Sequence, residues 1–234
     1  MAAPGSHVHG LTLPFATTFD TSQMRPELSW LHEPQDFMLR ADGTNGIRVT
    51  PKEKSDFWRK TYYVPELIAD NGHLLYAPVT DPDCVMETMF EVSAVNQFDQ
   101  VKSFHPSTQA GLMVRYDHEH WLKTGLEYVD GHFRLSCVVT NVYSDWSTQD
   151  WPSGRLSIRV YRQGNSYVVE NKAHDGDRWD FIRILHLEPP SPTSDPQVAM
   201  MGPMVCAPTA SGGSALFHKF NVRHSDGYLQ YHHN

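Results

Sequence analysis

Three charged residues in the middle of the chain, Arg115, Lys123 and Glu127, have side chains suited to ligand recognition or catalysis. Arginine and lysine orient carboxylates, phosphates or polyols, while a glutamate accepts hydrogen bonds from hydroxyls or transfers a proton. Lys123 and Glu127 are four residues apart, so on a β-strand they project from the same face. They are the catalytic candidates if the protein is an enzyme. The alternative is a salt-bridge network that covers a bare sheet face.

Aromatic and polar residues near these charges suggest a saccharide site. Sugars present apolar C–H faces that stack on aromatic rings, so Trp146 beside Asp145 and Thr140 is typical of a sugar cradle. Trp58 and Tyr62 are further candidates for its rim. We therefore predict that all five residues bind ligand, together with Arg115, Lys123 and Glu127. Packing in the core or at its edge is the alternative for the rings.

Other catalytic and metal signatures are weaker. Glycoside hydrolysis with retention needs two carboxylates about 5–5.5 Å apart, and the nearest partner of Glu127 is Asp130, which belongs to a turn. A single Glu127 would still serve an isomerase or lyase. His118 and His120 flank Glu119, but zinc needs three or four rigidly held ligands. With no phosphate loop or dinucleotide fingerprint either, we expect no metal and no cofactor.

The elements that must position these side chains are three consecutive strands between residues 110 and 147. Tight turns at residues 117–120 and 129–132 join them, and Asp130-Gly131 supplies the positive φ of a short hairpin. Period-2 alternation separates an apolar face from the face that carries Lys123 and Glu127. The apolar set is expected in the core: Leu112, Val114, Leu122, Leu126, Leu135, Cys137 and Val139.

The rest of the chain predicts an all-β protein. About a dozen short segments with strand-like alternation are separated by turn signals, and no helical period is convincing. This pattern indicates a two-sheet antiparallel jelly-roll sandwich. Residues 1–14 are expected to be a flexible arm, residues 15–224 a single domain and residues 225–234 a polar tail.

Composition restricts the partners. The 234-residue chain has a net charge of −8 and no basic stripe, so neither nucleic acid nor a membrane is expected to bind it. No apolar run approaches the roughly 20 residues that span a bilayer, and the N-terminal residues do not resemble a secretory signal. Cys84, Cys137 and Cys206 are far apart and odd in number, which favours reduced thiols in the cytoplasm.

Five segments, in this order, resemble the regulation-of-enolase protein family: residues 30–37 (WLHEPQDF), 55–63 (SDFWRKTYY), 110–127 (AGLMVRYDHEHWLKTGLE), 138–147 (VVTNVYSDWS) and 175–179 (DGDRW). The resemblance extends over roughly residues 27–222. It implies a concanavalin A-like lectin/glucanase sandwich and a connection with a metabolic enzyme. The chain departs from the family pattern by an insertion at 98–108 and a long Pro-rich loop at 188–196. If these loops rim the site, ligand choice differs from that of relatives.

Three functions follow from these patterns. The first is a lectin-like binding module that recognises a carbohydrate or small polar metabolite on the concave sheet face and regulates a metabolic enzyme. The second is a small-molecule enzyme of isomerase, lyase or hydrolase type, with Glu127 as acid/base and Arg115 and Lys123 as charge clamps. The third is a protein-interaction domain. The missing carboxylate dyad favours binding, whereas deep burial of Glu127 without a full set of partners would favour catalysis.

Overall fold

The computed structural model describes residues 10–40, 43, 45–94, 106–173, 175–190, 197–209 and 212–228. These residues contain 17 β-strands and no α-helix, which confirms the all-β prediction. In chain order the strands are β1 (Phe15–Thr17), β2 (Ser29–Leu31), β3 (Asp36–Leu39), β4 (Ile47–Thr50), β5 (Phe57–Arg59), β6 (Ile68–Asp70), β7 (His73–Val79), β8 (Asp83–Ser93), β9 (Thr108–Arg115), β10 (His120–Val129), β11 (His132–Asn141), β12 (Tyr143–Asp150), β13 (Arg155–Gln163), β14 (Ser166–Lys172), β15 (Asp180–His186), β16 (Ala199–Cys206) and β17 (Ser214–His224).

Two large antiparallel sheets form a sandwich of jelly-roll type. The seven-stranded sheet has the order β12-β11-β10-β9-β16-β7-β2. The eight-stranded sheet has the order β15-β14-β13-β8-β17-β4-β3, with β1 also paired to β17. Both sheets mix chain neighbours with distant strands, which is how a jelly roll is assembled. The predicted two-sheet antiparallel sandwich is confirmed.

The central meander folds as its alternation predicts. Val129 pairs with His132 across a two-residue turn in which Asp130 and Gly131 have φ values of 49° and 84°. Gly125 then pairs with Gly111 on β9 and with Ser136 on β11. The predicted apolar set lies in the main core between the two sheets, and each of its seven members is at most 9% exposed: Leu112, Val114, Leu122, Leu126, Leu135, Cys137 and Val139.

The opposite face of the seven-stranded sheet is covered, whereas the sequence predicted an open groove. Residues 51–72, which we call the covering ribbon, cross this face and contain the hairpin of β5 and β6. The first strand of this hairpin, β5, ends at Arg59. A second apolar cluster forms between the ribbon and the sheet, from Phe57 of the ribbon and Leu74, Met113, Trp121, Val138, Met204 and Cys206. Long-range packing of the ribbon therefore converts the predicted groove into a buried layer.

Several sequence predictions fall on residues outside the described ranges. These are residues 1–9 of the expected arm, 229–234 of the expected tail, 98–105 of the proposed insertion and 191–196 of the Pro-rich loop. Within the ranges that are described, no helix is long and apolar enough to cross a membrane. All three cysteines are buried and unbridged.

Candidate functional site

Glu127 is buried on β10 beneath the covering ribbon. Its neighbours in register are Gln109 on β9 and Arg134 on β11, and only 4% of the residue is exposed. Its Oε2 atom accepts no hydrogen bond from any residue that the structure describes. Burial raises the pKa of Glu127 to about 7, although the Lys123 charge and hydrogen bonding by Ser136 pull that pKa down. The carboxyl group therefore keeps much of its proton at neutral pH.

Lys123 lies four residues before Glu127 and is equally buried. Its Nζ donates to Asp56 Oδ1 at 2.8 Å and to Gln109 Oε1 at 2.9 Å. Burial is the largest single effect and lowers the pKa of Lys123, but the charge and hydrogen bond of Asp56 together with the attraction of Cys206 and Glu127 outweigh it, so the pKa is raised. Asp56, which belongs to the covering ribbon, thus holds a permanently charged ammonium group next to Glu127.

A narrow recess opens in front of these charges. Including its solvent-open part, its volume is about 330 Å³, but the centre of a water molecule can reach only about 20 Å³ of it, which corresponds to about one water. Trp58 stands edge-on to both Trp146 and Tyr63, with ring centroids 6.4 and 5.8 Å apart. The full lining consists of Asp56, Trp58, Tyr63, Leu67, Pro106, Gln109, Lys123, Glu127, Val138 and Trp146.

The indole hydrogen bonds fix the aromatic mouth of the recess. Trp146 Nε1 donates to Ser136 Oγ at 3.0 Å, and Trp58 Nε1 donates to the carbonyl oxygen of Thr61 at 3.1 Å. Both donors are satisfied within the protein, so the rings offer their faces and edges rather than their N–H groups. Such rings suit stacking against an apolar ligand surface.

Arg115, which the sequence assigned to the ligand site, instead holds the covering ribbon. Its two terminal nitrogens donate to the two carboxylate oxygens of Asp70 at 2.7 and 2.9 Å. The guanidinium also lies 5.6 Å from the ring centroid of Phe57. Because both terminal donors are engaged and Arg115 does not line the recess, its position indicates attachment of the ribbon.

Three more predicted ligand residues lie apart from the recess. Thr140 is fully buried and its hydroxyl bonds to Ser144 Oγ at 2.8 Å. Asp145 pairs with Val139, on the other face of the sheet, and its carboxylate lies 3.1 Å from Arg183. Tyr62 is 78% exposed on the ribbon, while its neighbour Tyr63 lines the recess. The recess therefore brings together Lys123, Glu127, Trp58 and Trp146 from the predicted set.

The histidine-rich turn is held by hydrogen bonds. Asp117 Oδ1 accepts from the backbone N–H of Glu119 and of His120, and it lies 2.9 Å from Nδ1 of the His120 ring. Across the part of the chain that the structure describes, no group of three or more His, Cys, Asp or Glu side chains is arranged to hold a metal ion.

Comparison with known proteins identifies the family. The family described as "Protein of unknown function (DUF1349)" matches residues 30–225. The chain belongs to this family. It is also 32% identical over 196 residues to Regulation of enolase protein 1 of Saccharomyces cerevisiae, covering 83% of this chain and 88% of that protein. The resemblance found in the sequence is thereby confirmed.

Solved structures agree with the fold of this DUF1349 chain. A functionally unknown protein from Saccharomyces cerevisiae superposes with a TM-score of 0.71 at 29% identity, covering 86% of this chain and 98% of that one. The GH43 protein BlXynB from Bacillus licheniformis and a xylan β-1,4-xylosidase from Bacillus halodurans give TM-scores of 0.65 and 0.63 at 13% and 16% identity. The matched regions cover 89% and 95% of this chain but only 39% and 41% of those two proteins. These two likenesses therefore concern the sandwich fold alone.

Sequence reasoning missed three polar or aromatic residues of the DUF1349 recess. Strand alternation could have found Gln109. It lies two residues before Gly111 on β9, and so on the face of the sheet that carries Glu127. Tyr63 is one position after the predicted Tyr62, and the two side chains differ in placement: Tyr62 is exposed, whereas Tyr63 lines the recess. Asp56 had no local signal, since it lies 67 positions before Lys123 in the sequence and only folding brings the two together.

Proposed function

We propose that this protein binds a small hydroxylated ligand, carbohydrate-like in chemistry, through one hydroxyl group that donates to Glu127. The observation that carries the proposal is the buried, unpartnered Oε2 of Glu127 at the base of an aromatic recess. Leaving a buried acceptor unpaired costs free energy, and a donated hydroxyl would recover it. The ligand ring would lie against Trp58 and Trp146 at the mouth.

The size of the recess supports this mode of binding. Its inner space holds about one water molecule, so a single hydroxyl fits where a whole sugar ring does not. A hydroxyl that replaces a water keeps the same hydrogen-bonding pattern with Glu127 and Lys123. The ring must then remain outside the charged base, in contact with the aromatic edges.

We further propose that ligand binding lets the protein regulate a metabolic enzyme in the cytoplasm. Membership of the family and similarity to Regulation of enolase protein 1 support a regulatory role. Three unbridged, buried cysteines are compatible with a reducing compartment. The covering ribbon lies over the recess. A bound ligand would therefore alter the ribbon surface, which is where a partner enzyme would contact this protein.

Thermal-shift screening against neutral sugars, sugar phosphates and small carboxylates tests the proposal. A hit should raise the melting temperature of wild type and of the control Asp145→Asn, whose carboxylate lies on the other sheet face. Glu127→Gln should lose most of that shift, because an amide replaces one acceptor with a donor. If no compound gives a stabilising shift that is reduced in Glu127→Gln, the proposal is wrong.

Catalysis is the second candidate, and one observation favours it. The pKa of Glu127, raised by burial to about 7, suits a general acid/base that works near neutral pH. In that case Lys123 would stabilise negative charge that develops on the substrate. Product analysis of each hit separates the two functions: a compound consumed by wild type but returned unchanged by Glu127→Gln indicates an enzyme, and a compound returned unchanged by both indicates a binding protein.

A further inference from the structure

A wider cavity lies on the outer face of the eight-stranded sheet. Strands β13, β14, β15 and β17 form its floor, and residues before β15 and after β17 form its walls. The centre of a water molecule can reach about 500 Å³ of this cavity, compared with about 20 Å³ in the recess at Glu127. A volume of roughly 300–1,000 Å³ is usual for small-molecule pockets. This cavity therefore has room for a whole small ligand.

One wall of the cavity is a rigid, neutralised stack built on Arg159. Its guanidinium lies 4.1 Å from the ring centroid of Trp179 and 5.1 Å from that of Tyr161. Glu170 Oε2 accepts from Arg159 Nε at 2.6 Å, and Glu170 Oε1 accepts from the hydroxyl of Tyr228 at 2.9 Å. Trp179 thus closes a packed wall. The charges of Arg159 and Glu170 compensate each other and leave neither free for a ligand.

Two other groups at the same cavity remain open to solvent. The ring of Phe181, on β15, is 54% exposed. Arg223, on β17, is exposed, and across the described residues no carboxylate forms an ion pair with it. Its hydrogen bonds go to the His224 carbonyl, at a long 3.5 Å, and to Tyr161. The cavity therefore presents an apolar ring and an uncompensated cation together.

We propose that this cavity is a second ligand site, which binds an anionic sugar: a sugar ring stacked on Phe181, with a phosphate or carboxylate group paired to Arg223. The exposed ring of Phe181 can stack on the sugar ring, and the guanidinium of Arg223 can pair with the anionic group. Ser225 and the carboxylate of Asp226, which also line the cavity, supply partners for ring hydroxyls.

Charge supports an anion at this position. The chain carries a net charge of −8, so it repels anions in general and binds them only where a local cation is exposed. Lys172, whose ammonium group lies 5.4 Å from the Trp179 ring, adds a second cation beside the cavity. Asp226 is the opposing charge, and we assign it to the hydroxyl side of the ligand, away from the anionic group.

Calorimetric titration of the full chain with glucose 6-phosphate and with glucuronate tests the proposal. At least one of these should bind, and glucose and inorganic phosphate, which each carry half of the recognised chemistry, should bind at least tenfold more weakly. Comparison of the two anionic sugars shows whether phosphate or carboxylate is preferred. If neither binds at millimolar concentration, the proposal is overturned.

Exposed residues provide variants that should not disturb folding. Arg223→Gln should weaken binding about tenfold, as expected for the loss of one charge-assisted contact, whereas Arg178→Gln should not, because Arg178 is 85% exposed and paired with Asp180. Phe181→Ala should also weaken binding, whereas Ile184→Ala, on the same strand and 59% exposed, should not. Equal losses in a variant and its control would overturn the proposal. Glu127→Gln should bind these ligands as the wild type does, which separates this site from the recess.

Discussion

Two buried glutamates, one on each sheet, differ in a way that separates structural from functional burial. Glu170 is 6% exposed, and both of its carboxylate oxygens have partners, Arg159 and the Tyr228 hydroxyl. Glu127 is 4% exposed, yet its Oε2 has no partner among the described residues and its neighbour Lys123 is committed to Asp56. A fully paired carboxylate contributes to stability, whereas an unpaired one costs stability and leaves an acceptor for a ligand.

The largest expected effect is on stability and concerns Glu170, the glutamate whose two carboxylate oxygens both have partners. Glu170→Gln removes the charge that neutralises Arg159 and should lower the free energy of unfolding by about 3 kcal/mol, as for other broken buried ion pairs. Glu127→Gln should not lower it at neutral pH and should raise it by up to about 3 kcal/mol, because the amide avoids the cost of burying a carboxyl group that the unfolded chain holds ionised. Urea unfolding of both variants at pH 7 provides the measurement. Similar losses for the two variants would remove the distinction between the sites.

The pH dependence of stability sharpens the comparison. The folded-state pKa of Glu127 lies above its usual value of 4.5, at about 7, so the folded protein holds this proton more tightly than the unfolded chain does. Stability from this group is therefore fully present below about pH 4.5, falls as the pH rises and is lost above about pH 7. The total loss should be roughly 3 kcal/mol. The free energy of unfolding of wild type and of Glu127→Gln, measured from pH 4.5 to 8, isolates the contribution of this carboxyl group. The variant should lack the pH-dependent loss of stability that Glu127 causes.

Loosening the covering ribbon should make Glu127 resemble an ordinary surface carboxylate. Arg115→Met removes the bidentate contact with Asp70 and should lower the free energy of unfolding by about 2 kcal/mol. Because water then reaches the sheet face, the pKa of Glu127 should move down toward its usual range. Hydrogen exchange of ribbon amides, compared with amides of β13 and β14, measures the loosening. Unchanged exchange in the ribbon would show that Arg115 does not hold it.

The smallest effect is expected at Asp145, which the sequence placed in the ligand site. Its side chain is 72% exposed and contacts Arg183 on the face opposite the recess. Asp145→Asn should therefore leave both stability and binding of any ligand at Glu127 nearly unchanged, since exposed ion pairs contribute little. Weakened binding in this variant would show that the site extends around the sheet edge.

Local rules were sufficient for the sheet and insufficient for its cover. The Asp130-Gly131 turn and period-2 alternation predicted the hairpin, the core residues and the shared face of Lys123 and Glu127. The same rules contain no information on which distant segment packs against that face. The pairing of Arg115 with Asp70 could not be read from the sequence, because Asp70 lies 45 residues away on the ribbon. Without that partner, Arg115 was predicted to bind ligand. Asp145 lies on the other sheet face from Trp146, because adjacent residues of a strand point to opposite faces.

Direct titration of the Glu127 carboxyl group tests the central claim most closely. Carbon-13 NMR of glutamate side-chain carboxyls, with Glu127→Gln to assign the resonance, reports its protonation across the pH range. We predict a pKa near 7 for Glu127, caused by burial without a full set of partners, and a return toward the ordinary range in Arg115→Met. A Glu127 resonance in wild type that titrates near 4.5 would show a hydrated or fully paired carboxylate, and the case for a functional site in the recess would then fail.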